Sequence, residues 1–184
     1  VDEFSNENGC FADKEGHPVE GDLFIENFTR SFHVNSGSNF HNEMFYKNNA
    51  IKIGLYDENI QIWEDWDFRI RMSKKFRYGY CSEVNSAYRR LPTGLHNSSI
   101  NLHYHEQIKI YNKNKLLIQD LKQQQQSHIH NRVYSKIKYL FIQIMEKSRQ
   151  DKYFFRTIYY CIHFIVTFRT RKSISVVLRA LTKT

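Results

Sequence analysis

The run WEDWD interleaves Glu64, Asp65 and Asp67 with Trp63 and Trp66, the only two tryptophans in a chain of 184 residues. Adjacent carboxylates can do proton-transfer work, one as a general base and its neighbour as an orienting partner. Some way downstream, RRLPTGLHNSS supplies Arg89 and Arg90 together with a glycine and hydroxyls, a combination that suits an anion. Histidines occur at positions 96, 103 and 105, but His103 and His105 lie in a polar connector without a carboxylate at ligand spacing, so no metal is placed on them. Cys10, Cys81 and Cys161 are odd in number, far apart and form no CxxC pair, which argues against a disulfide framework or zinc site and favours a reducing compartment.

These groups need elements to hold them. The segment EDWDFRIRMSKKF carries Trp66, Ile70 and Phe76 on one helical face with charges on the others, so the acidic pair opens a helix. Carboxylates there meet the positive end of the macrodipole and its orphan amides, which favours the ionised Asp65 that a base requires. Acids in a first turn are equally at home as caps and dipole partners, and tryptophans three residues apart are often core. Upstream, DLFIENFTRSF reads as a short amphipathic helix and VNSGSNFHNE as a small-residue turn with freedom at Gly37 and hydroxyls at Ser36 and Ser38. EMFYKNNAIKIG then reads as a helix stopped at Gly54. FRYGYCSEVNSAYRR alternates Tyr78, Tyr80, Val84 and Tyr88 and predicts one or two strands. From Leu102 onward the pattern is helical, through a glutamine run at residues 123–126 and an aromatic stretch interrupted by Arg156 and His163 that is too short to span a membrane.

Charge divides the chain. From residue 131 to the end there are 12 Lys and Arg against 2 acids, net +10, whereas the first 130 residues carry 15 against 17, net −2. Such asymmetry points to an acidic surface as partner, an anionic leaflet or a nucleic acid. The ordinary apolar content, few glycines and high aromatic share exclude a disordered or collagen-like chain and predict regular elements around an aromatic core. The opening VDEFSNENG has neither the basic start nor the apolar run of a signal peptide, and the chain reads as part of something longer.

In linear order, the SGS turn, IKIGLYDEN, the acidic WEDWDFRIRM and the closing YRRLPTGLHNSS resemble the second half of the family 2 glycosyltransferase domain. The resemblance covers residues 1–99. It implies an α/β fold, the acceptor-side half of a GT-A-like domain over residues 1–100, followed at 101–184 by a basic helical tail. It further implies a nucleotide-sugar donor, a glycan or lipid-linked acceptor, inversion at the anomeric carbon, and a divalent cation, Mg or Mn. Asp65 then matches the base that deprotonates the acceptor hydroxyl, with Glu64 beside it. Gly37 and Ser38 match the turn lining the cleft, Trp66 offers a face to sugar CH groups, and Arg89 and Arg90 serve the departing diphosphate. The family's DxD motif is expected upstream of Val1, and its donor-binding half with it, so the fragment alone is expected to be inactive. The histidine expected after YR is Leu91 here, which leaves His96 as the candidate metal contact. By the same analogy the tail makes peripheral contact with the cytoplasmic face of the cell membrane. The competing reading is a basic module for nucleic acid with a purely structural acidic cluster.

Overall fold

In the computed structural model, the described residues are 20–30, 44–79 and 98–182. Local chemistry explains most of their boundaries. Helix α1 (Phe24–Thr29) begins where Asp22 Oδ1 accepts from Phe24 N and ends at Arg30 in the left-handed conformation. α2 (Lys47–Lys52) closes at Ile53, and Gly54 takes the positive φ of 89° that turns the chain away. α3 (Glu64–Lys75) has Glu64, Asp65 and Asp67 in its first turn and Lys74 and Lys75 in its last, complementing the macrodipole at both ends. Ser99 caps α4 (Ile100–Asn114) by accepting from Leu102 N, and a 3-10 turn (Lys115–Ile118) follows.

The rest of the described chain is three helices. α5 (Gln123–Gln150), about 42 Å long at 1.5 Å per residue, presents Ile129, Val133, Ile137, Phe141 and Ile144 as one buried stripe. α6 (Phe154–Phe168) packs along it, and α7 (Arg171–Thr182) packs on both. α7 starts in a reciprocal cap, with Ser173 N donating to Thr170 Oγ1 and Thr170 N to Ser173 Oγ. The stacked rings of Phe141 and Phe164, 4.5 Å between centroids, lie where α5 and α6 meet, and both side chains are fully buried.

One hydrophobic cluster runs from Phe24 and Phe28 through Trp66, Ile70, Tyr104 and Ile137 to Val177 and Ala180. Residues on both sides of the expected division near residue 100 therefore share a core. α4 and α5 form its main wall, with α1 packed on both α3 and α5.

This corrects the α/β expectation. The described residues are all-helical, without a named strand. The predicted strand around Tyr78 makes only an isolated antiparallel bridge to Gly21, with 2.8 Å bonds each way, and its continuation from Tyr80 lies outside the described residues. The described apolar residues are buried among helices, most in the cluster that runs from α1 and α3 to α7 and a few, Ala50, Phe68 and Met72, between α2 and α3. Among the described residues no helix is long and apolar enough to cross a membrane.

Candidate functional site at the amino end of α3

The acidic run is built around two tryptophans with opposite tasks. Trp63, at the helix entrance, holds a left-handed φ of 67°, a strained conformation for a bulky residue that surrounding contacts must enforce. Its Nε1 donates to His103 Nδ1 at 3.0 Å, and the Arg30 guanidinium lies 4.4 Å from its ring centroid. Trp66 is 2% exposed and donates from Nε1 to Asn27 O at 2.9 Å, so it ties α3 to α1 through the core. The sugar-platform role expected of Trp66 is corrected here: its ring is used inside, with Arg30 over it at 5.0 Å.

Between these anchors Glu64 and Asp65 are half-buried. Asp65 Oδ1 accepts from Trp66 N at 2.8 Å, which fixes its side chain against the first turn. Arg30, at the end of α1, stands near it. Burial pulls Arg30 down to about 10, and the charge of Asp65 partly restores it. Lys136 on α5 donates from Nζ to Thr29 O at 2.6 Å and Arg30 O at 3.2 Å, closing the carboxyl end of α1. Burial first, then the charges of Arg30 and Arg132, push Lys136 down to about 7.

Asp67 has a different fate. It is fully buried, and Oδ2 receives Arg71 Nη2 at 2.7 Å and Lys113 Nζ at 2.9 Å while Oδ1 accepts from Asn114 Nδ2 at 2.8 Å. Lys113 also holds Asp57 Oδ2 at 2.7 Å, and Arg71 donates to the carbonyls of Ile53 and Leu55. The hydrogen bond from Lys113, followed by those from Asn59, keeps Asp57 well below the usual carboxylate range. The loop YDEN and the run WEDWD, three residues apart in the chain, are thus tied together through one lysine of α4. An open hollow of about 390 Å³ lies over this junction, lined by Gly54, Tyr56, Asp57, Arg71 and Lys113 among others.

Asp65-Trp66-Asp67 spells DxD by letters, but the described residues do not fit a divalent cation. Asp67 is already neutralised by two cations, and no group of three or more His, Cys, Asp or Glu among the described residues could hold a metal ion. No step of the chemistry is routed through one. Gly37, Ser38, Arg89, Arg90 and His96 lie outside the described residues. His103 faces Trp63, while His105 packs against His163 of α6, 5.2 Å between ring centroids. His163 Nδ1 shares a hydrogen bond with the buried Tyr104 hydroxyl at 3.2 Å.

Arg30 and Lys113 were not anticipated as partners of the acidic run, nor Lys136 as the group that closes α1. No local signal marks them, since their contacts bridge elements far apart in sequence. No protein-family model, curated protein or solved structure matches this chain.

Proposed function

We propose that this chain carries the acceptor-side, base-bearing segment of a glycosyltransferase that moves a sugar from a nucleotide-sugar donor to a hydroxyl with inversion. The observation that supports it is the pinning of two neighbouring acidic segments by Lys113 of α4. YDEN and WEDWD, which the family order sets in succession, are bonded through Lys113, and this leaves Glu64 and Asp65 as a half-buried pair at the start of a firmly anchored helix. In this reading Asp65 accepts the hydroxyl proton as the acceptor oxygen bonds to the anomeric carbon and the bond to the diphosphate breaks. Glu64 orients the acceptor, Gly37 and Ser38 line the cleft, and Arg89 and Arg90 receive the charge of the leaving group. The acceptor is a glycan or lipid-linked hydroxyl, and the protein works peripherally at the cytoplasmic face of the cell membrane.

The test is transfer from a panel of sugar nucleotides by the protein expressed from its complete reading frame. Asp65→Asn is expected to lower transfer by about 10²–10⁴-fold with the fold retained by circular dichroism. Transfer by the variant equal to the parent would leave the acidic pair a helix cap and withdraw the proposal.

A further inference from the structure

α6 and α7 are finished on one side only. Phe154, Phe155, Ile158, Ile162 and Val166 form a single exposed stripe on α6, opposite Tyr160, Cys161 and Phe164, which are buried. Phe155 is 85% exposed and Phe154 69%, values out of keeping with large apolar side chains in water. On α7 Ile174, Leu178 and Leu181 repeat the arrangement opposite Ser173, Val177 and Ala180. No described element covers either stripe.

Charge identifies what does. Residues 152–184 contain seven Lys or Arg and no Asp or Glu. Lys152 and Arg169 flank α6, Arg171 and Lys172 open α7, and Arg179 stands beside Leu178. Long cationic side chains at the borders of an apolar stripe can reach headgroups while the stripe enters the acyl boundary. α6 is only about 22 Å long, short of the roughly 30 Å hydrocarbon core, so it is too short to span a bilayer. A second copy of this face would oppose cation to cation without an acid to compensate. Phe154 and Phe155 at one end of α6 offer rings to bases, but the rest of the surface is aliphatic along the stripe, Ile158, Ile162 and Val166 on α6 and Ile174, Leu178 and Leu181 on α7, and gives bases nothing to stack on.

We infer that the outer faces of α6 and α7 are a docking surface for an anionic lipid leaflet, the helices lying in the plane of the interface. This deepens the peripheral placement proposed above and is independent of the transfer chemistry.

The test is flotation with phosphatidylcholine vesicles, neutral or with about 30% phosphatidylglycerol, a range over which basic segments respond strongly. The parent protein is expected to bind the anionic vesicles at least about 10-fold more tightly. Phe155→Ser with Ile162→Ser, both exposed positions, is expected to weaken that binding about 10-fold or more, with unchanged circular dichroism. Arg171→Gln with Lys172→Gln is expected to narrow the preference for anionic lipid. Equal affinity for both vesicles, no binding to either, or full binding by the serine variant would overturn the inference. So would a parent that self-associates while the serine variant is monomeric, or one that binds single-stranded RNA in preference to vesicles. Vesicle binding without transfer on any donor would remove the transferase reading and leave this surface standing; transfer on a soluble acceptor without vesicle binding would do the reverse.

Discussion

Asp67→Asn removes a charge from the centre of the structure while keeping the shape of the side chain. The native carboxylate accepts from Arg71 and Lys113 on one oxygen and from Asn114 on the other, with no exposure to water. An amide retains one acceptor and turns a donor toward groups that are themselves donors. Breaking a buried ion pair from one side costs about 3–5 kcal/mol. Arg71 keeps the carbonyls of Ile53 and Leu55, and Lys113 keeps Asp57, so the lower end applies, about 3 kcal/mol. At a urea slope of about 2 kcal/mol per molar, the unfolding midpoint drops by about 1.5 M. Trp63 and Trp66, the chain's only tryptophans, flank the site closely enough to follow unfolding by fluorescence. A midpoint shift under about 0.5 M would refute the claim that this carboxylate is a structural counter-ion.

Two further outcomes test the packing. Phe164→Ala, at the fully buried stack with Phe141, is expected to cost about 3–5 kcal/mol in urea unfolding; a loss under about 1 kcal/mol would mean that α6 is not docked on α5 as described. Burial lowers the proton affinity of His105 and His163, the charge of His105 lowers that of His163 further, and Glu106 partly restores His105. Burial pushes the hydroxyls of Tyr104 and Tyr160, packed around them, further from the acid range. Below pH about 6.5 the unfolded chain therefore takes up protons that the folded chain resists. The contribution of this pair is expected to be full above that value and to fall as the pH drops through it, and His105→Phe with His163→Phe should reduce the dependence, leaving the part added by His130, which burial and the charge of Lys115 also lower. A midpoint independent of pH between about 7 and 5 would contradict this.

What the sequence revealed, and what it hid, follows the range of the forces involved. The helix that begins at Glu64, the stop at Gly54 and the helical run after Leu102 were legible because capping, macrodipole and amphipathic period act within a few residues. The sheet was inferred from alternating tyrosines and from family order, and neither states which element shields which. The function of the tryptophans was open for the same reason. Only the placement of Asn27 and His103 decides that Trp66 faces inward and that Trp63 guards the helix entrance. Among the three carboxylates, sequence did not show that Asp67 is spent on structure, because besides Arg71, one turn on in α3, the cation that holds it comes from α4. The tail read as an appendage since its charge differs from the rest, yet α5 supplies much of the core that the earlier helices need.

The bonds from Lys136 to the end of α1 have a consequence in time. Lys136 follows Thr29 by 107 residues, and a ribosome adding roughly 5–20 residues per second needs about 5–20 s to deliver it. Through that interval Phe24 and Phe28 are already synthesised while the wall of α5 against which α1 rests does not yet exist. Most helical proteins settle early because their contacts are local. This one must keep its first apolar helix waiting for a late partner, so the nascent chain passes through a stage in which that helix is open to chaperones and to neighbouring chains before it is open to its own fold.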